Sequence, residues 1–140
     1  MFLRPLNKEQ KRLFLNLATA AASADNIIKE SEKALLAAYA DEMGIDVNDA
    51  EDNTMEEVCV RLKEISSAKE LNQIAFEIVG MMMSDNEYAE AEKVFVNKMA
   101  AIFQISNERI EEMFRCVHDY SVLIKRINML MYEDKRLCKN

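Results

Sequence analysis

Two glycines and one proline are spread over the whole chain, where average usage in 140 residues would supply roughly 17. A sandwich or barrel of short strands needs many tight turns, and tight turns need those residues. Such folds are therefore nearly excluded. Half the residues are apolar, so the chain is not a disordered acidic tail either. What remains is a helical protein. The length suits one domain spanning 1–140.

Helical spacing of apolar residues runs through most of the sequence. A first helix is expected after Asn7, which forms a capping box with Gln10, and its stripe is Leu13, Phe14, Leu17, Ala21 and Ala24. A second carries Leu35, Leu36, Tyr39, Ala40 and Met43 and stops at Gly44. Thr54 with Glu57 reads as a capping box opening a short helix through Val58, Leu62 and Ile65. Ser67 with Glu70 opens another, bearing Leu71, Ile74, Ala75, Ile78, Val79 and Met82. A further helix shows Phe95, Val96, Met99, Ala100 and Phe103. Ser106 caps the last helical region, 107–136, read as one long helix or two with a bend near Asp119 to Ser121. Its seam, Ile110, Met113, Val117, Tyr120, Ile124, Ile127 and Met131, alternates spacings of three and four. That heptad seam suits a coiled-coil dimer or packing on its own domain. The second is expected, because the flanking helices need a partner face.

The formal net charge is −7, which disfavours phosphate backbones and anionic lipid. Neither a nucleic-acid partner nor membrane insertion is expected. No run reaches the ~18 apolar residues of a membrane span. The opening Met1-Phe2-Leu3-Arg4-Pro5 has no apolar signal core. Cys59, Cys116 and Cys138 are odd in number and far apart, as expected of reduced thiols in a cytoplasmic protein.

An internal repeat organises the chain. Shifted by sixty, Asp25-Asn26-Ile27-Ile28-Lys29-Glu30-Ser31-Glu32-Lys33 falls on Asp85-Asn86-Glu87-Tyr88-Ala89-Glu90-Ala91-Glu92-Lys93 without a gap. The apolar stripes superpose too: Phe14 on Ile74, Leu36 on Val96, Ala40 on Ala100, Met43 on Phe103. Each half, about 8–45 and about 68–105, is expected to be a helical hairpin with the same acidic elbow. Two hairpins related by a pseudo-twofold would bury their stripes together, giving an all-α bundle of six or seven helices.

An apolar helix ending in Asp-Gly-x-Ile/Val-x-x-x-Glu, followed by a helix closing at Gly-Ile/Leu, resembles the tellurite-resistance TerB-like family. The two copies here are Ala24 to Glu32 and Ser84 to Glu92, and the resemblance spans about residues 10–118. It implies an all-helical domain whose acidic elbows hold divalent cations. It also implies roles in metal or envelope stress and in complex assembly rather than catalysis. The chain departs from the family pattern in having Asn26 and Asn86 where glycine is favoured, and Tyr88 in place of an aliphatic residue. Asparagine tolerates the left-handed conformation, so the turn survives.

Read for their own chemistry, the elbows offer hard oxygens of the kind Ca²⁺ or Mg²⁺ prefers. The first supplies the Asp25 carboxylate, the Asn26 carbonyl, turn carbonyls and Glu32; the second supplies Asp85, Asn86 and Glu92. Glu87 and Glu90 add negative charge to the second, whereas Lys29 weakens the first. These are not EF-hands, because the ligand places four and two residues before each Asp hold Ala21 and Ser23, and Met81 and Met83. The same residues also suit plain turns. Asp and Asn end helices, and Glu in a first turn is favoured by the helix dipole by about 0.3–1 kcal/mol.

Other chemistry is sparse. His118 is the only histidine, and Arg115 stands where a Glu-x-x-His di-iron motif needs Glu. Cys116 and Asp119 are too close in sequence to share a helix face with His118. Gly44 and Gly80 stand alone, so no phosphate loop is present. Gly80 is read as permitting close helix packing. Met81-Met82-Met83 is read chiefly as core. Asp46, Asp49, Glu51, Asp52, Glu56 and Glu57 are read as a solvated loop leading into a helix. The expectation is a non-enzymatic module, monomeric or homodimeric, that binds divalent cations and an unidentified protein partner. The alternative is an interaction or scaffold domain with no metal site.

Overall fold

Six helices and no strands make up the described residues, 2–24, 30–46, 53–83 and 90–132 of a computed structural model. They are α1 (Lys8–Ala22), α2 (Glu30–Met43), α3 (Met55–Ile65), α4 (Ala68–Met82), α5 (Glu90–Phe103) and α6 (Asn107–Met131). The first two and the fourth and fifth have the same lengths, 15 and 14 residues, and their bounds differ by sixty.

The repeat extends to the helix ends. Asn7 and Gln10 form a complete capping box, and so do their sisters Ser67 and Glu70. At the far end of each hairpin, α2 and α5 close with the same two hydrogen bonds. The Ile45 N–H donates to the Ala40 carbonyl at 3.0 Å and the Gly44 N–H to the Asp41 carbonyl at 3.1 Å. Their sisters are Ile105 to Ala100 at 2.9 Å and Gln104 to Ala101 at 3.3 Å. Both are Schellman closures, which require a left-handed residue. Gly44 supplies it at φ +70° without cost, whereas Gln104 is forced to φ +59°.

Packing follows the apolar spacing. The helices α1 and α4 lie against each other, with α2 on α1 and α5 on α4. Phe14, Leu15, Ala18, Ala21 and Ala22 are buried, and so are their sisters Ile74, Ala75, Ile78, Met81 and Met82. Each large apolar side chain among them contributes about 1.5–3 kcal/mol by leaving water. On the outer helices, Leu36, Tyr39, Ala40 and Met43 match Val96, Met99, Ala100 and Phe103. The short α3 crosses between halves and packs on α1 and α5. Two exposed ion pairs accompany it, Arg61 to Glu9 at 2.8 Å and Lys98 to Glu56 at 3.5 Å.

Several expectations change. Thr54 accepts a hydrogen bond from the Glu57 N–H, but the reciprocal half of that capping box does not form. Gly80 opens no close approach, since a Cβ there would meet nothing within 4 Å. The last helical region is a single unbroken helix, and only its first part packs on the domain. Ile110 and Met113 are buried, and Phe114 and Val117 rest on the core at its edge. From Tyr120 onward the seam is largely uncovered. The reason is length: α6 runs for about 37 Å, whereas α4 and α5 beneath it run for about 21–22 Å.

Candidate metal-binding elbows

Each elbow is entered from a helix that stops in the same way. The C-cap of α1, Ser23, has φ −94° and ψ 3°, and the C-cap of α4, Met83, has φ −91° and ψ 0°. In both, the cap N–H donates back into the last turn, to Thr19 and Val79 respectively, at 3.1 Å. Asp25, Asn26, Asp85 and Asn86 lie outside the described residues, as do Lys29 and Glu87.

The exits are described from Glu30 and Glu90 onward, and there the acids separate into two kinds. Glu30 and Glu90 point to solvent with side chains 92% and 86% exposed, and they pair with Lys33 and Lys93 at 3.3 and 3.1 Å. Glu32 and Glu92 turn inward, and each is only 9% exposed. Helical spacing explains the split. Glu32 falls four residues before Leu36 on the core stripe, and Glu92 four before Val96. A carboxylate in that place is costly to bury unless a positive or hydrogen-bonding group meets it. Both sit in first turns, where the helix dipole favours negative charge.

So the two sister glutamates occupy equivalent, inward-facing places, one at each elbow. Among the described residues, no group of three or more His, Cys, Asp or Glu side chains converges on one point. The donor set described at each elbow is thus a single buried carboxylate beside the helix entrance. Its chemistry, a hard anionic oxygen, fits Ca²⁺ or Mg²⁺ better than a softer metal.

The structure also buries Gln10 of the first capping box, together with Asn16 and Glu77, which the sequence did not single out, on otherwise apolar faces. A Glu77 carboxylate oxygen accepts from the Phe2 N–H at 3.1 Å, and its main-chain carbonyl accepts from the Tyr39 hydroxyl at 3.2 Å. Asn16 lines a groove of about 560 Å³ between α1 and α3, with Glu9, Arg12, Glu57 and Arg61 around it. Arg61 is engaged there by Glu9 and Glu64, which hold its guanidinium charged. It therefore braces α1 and α3 rather than awaiting an anion. No sequence signal joins these residues, because the groove pairs positions about fifty apart on two helices.

His118 and Cys116 are both exposed on α6, and Arg115 pairs with Glu112. Cys59 is buried in α3, and burial together with nearby Glu56 pushes its thiol up to about 12. Cys138 lies outside the described residues. Met81 and Met82 fill core, and Met83 packs against its edge. Asp46, Glu56 and Glu57 are exposed, and Asp49, Glu51 and Asp52 lie outside the described residues. Among the described residues, no helix is long and apolar enough to cross a membrane.

No protein-family model and no curated protein matches the chain. Among solved structures, a tellurite resistance protein from Nostoc punctiforme superposes on it with a TM-score of 0.70. The match covers 92% of this chain and 84% of that one, at 21% identity. The fold is TerB-like. The two chains thus share one helical arrangement over most of their length.

Proposed function

We propose that this chain is a non-enzymatic TerB-like module that binds a divalent cation at each elbow. In this reading it serves cytoplasmic protein complexes that respond to metal or envelope stress. The observation that supports it is the pair Glu32 and Glu92: two carboxylates withdrawn from water at equivalent places of a repeated elbow. Asp25, Asn26 and Glu32 would hold one ion, and Asp85, Asn86 and Glu92 the other. A bound cation would add positive charge beside these carboxylates. Each site would then tie the end of one helix to the start of the next. The solved neighbour is named a tellurite resistance protein, which is compatible with a role in metal stress.

The test is thermal unfolding with and without millimolar Ca²⁺ or Mg²⁺. The reading expects a rise in melting temperature that Asp85→Ala reduces and Asp25→Ala with Asp85→Ala removes. Equal melting curves with and without ion would count against it.

A second reading is an interaction domain whose elbows are turns only. It is favoured by the Glu30–Lys33 and Glu90–Lys93 pairs, which neutralise part of each elbow without any ion. Unchanged melting together with a stable protein complex would support that reading.

A further inference from the structure

The helix α6 overshoots the bundle that anchors it. Its seam is buried at Ile110 and Met113 and half-covered at Val117. The spacing of three and four then continues without interruption through Tyr120, Ile124, Ile127 and Met131. Past the reach of α4 and α5, this seam is exposed at Tyr120 (57%), Ile124 (36%) and Met131 (72%), with Ile127 half-buried. Leu123 and Leu130, which widen the stripe on one side, are 51% and 87% exposed.

The exposed apolar area is large for a chain of this size. Tyr120, Leu123, Ile124, Leu130 and Met131 together leave roughly 600 Å² uncovered, against about 800 Å² per partner in a standard interface. Charge is kept away from the stripe. The flanking positions hold Leu123 and Leu130 on one side and Ser121 and Asn128 on the other. Asp119, Lys125 and Arg126 fall on the opposite face. A strongly acidic or basic partner would find nothing to pair with there. An anionic membrane would meet two cations on a protein whose net charge is −7.

A continuous heptad seam does have one natural complement, which is itself. Under a twofold axis each knob meets the hole that its own copy offers. The local charge of this stretch is nearly balanced, so the overall negative charge does not hold two copies apart. We infer that residues 117–131 of α6 pair with the same residues of a second copy, making the protein a homodimer through a short coiled coil.

Sedimentation equilibrium of the full chain in EDTA tests this without involving the elbows. The expected mass is twice the 16.1 kDa of one chain at about 50 μM, a range in which micromolar pairing is visible. Ile124→Glu with Leu130→Glu should give a folded monomer, seen as retained helical circular dichroism, with the dissociation constant raised at least about a hundredfold. Val60→Glu, at an exposed apolar position on α3, should remain a dimer. A wild-type monomer at that concentration would overturn the inference. So would a dimer that survives the α6 double variant, or a monomer that binds anionic vesicles through this stripe.

Discussion

Gln10 and Glu70 stand sixty residues apart in sequence, at the third helical position of twin capping boxes, and their side chains interact. The starts of α1 and α4 therefore lie side by side. Gln10 is 1% exposed, and its amide nitrogen donates to the Ser66 hydroxyl at 3.0 Å. Hydrogen bonds from Ser67, chiefly its backbone N–H, and from Gln10 hold the Glu70 carboxyl below its usual range.

A glutamate in place of Gln10 would set a like charge beside Glu70. Gln10→Glu should therefore cost about 1–3 kcal/mol at neutral pH. The penalty should shrink as pH falls through the carboxylate range and the new acid takes up a proton. Urea unfolding at pH 7 and pH 4 checks both parts.

The left-handed residues that close α2 and α5 predict opposite outcomes for one exchange. Gly44→Ala forces a Cβ into φ +70° and should destabilise by about 1–2 kcal/mol. Gln104→Gly relieves φ +59° and should stabilise by about 0.5–1 kcal/mol. Chemical denaturation of the two variants beside wild type reads both signs.

Gly80 lies inside α4 with open space where a Cβ would stand. Gly80→Ala should gain up to about 1 kcal/mol from helix propensity alone. The corresponding rise in melting temperature is about 3–5 °C. A fall would mean that α4 needs the glycine for a contact that a methyl group disturbs.

Tyr39 is raised above the ordinary phenol range, first by burial, then by Glu77 and Glu42. The folded protein thus holds that proton more tightly than the unfolded chain does. The stability linked to it is complete below about pH 10, the unfolded value, and is lost as pH rises further. Cys59, pushed up to about 12 from 9.0, adds a loss of the same sign beginning about one unit lower. Tyr39→Phe should cost about 1 kcal/mol at pH 7 through the lost bond to the Glu77 carbonyl. It should also flatten the alkaline loss, as melting curves from pH 8 to 11 would show.

Helices and their ends were legible because local chemistry decides them. Asn7, Ser67 and Ser106 cap α1, α4 and α6 through side chains that reach only three residues ahead. The inward turn of Glu32 and Glu92 also follows from helical spacing against Leu36 and Val96. Long-range relations were not legible. Glu77 is buried where its sister is Leu17, because the start of the chain returns to lay the Phe2 N–H on its carboxylate. Periodicity alone cannot tell a seam that finds its partner within the chain from one that runs past it. That is why the seam of α6 beyond Val117 reads as covered in the sequence, whereas Tyr120, Ile124 and Met131 are exposed. The empty space beside Gly80 depends likewise on how neighbouring helices happen to diverge.

Calorimetric titration of Ca²⁺ and Mg²⁺ into the wild type, Glu92→Gln and Glu32→Gln/Glu92→Gln tests the elbows most directly. The account predicts two ions per chain for the wild type, one for the single variant and none for the double. Heat of binding that is absent from the wild type, or that is the same in all three proteins, would contradict it.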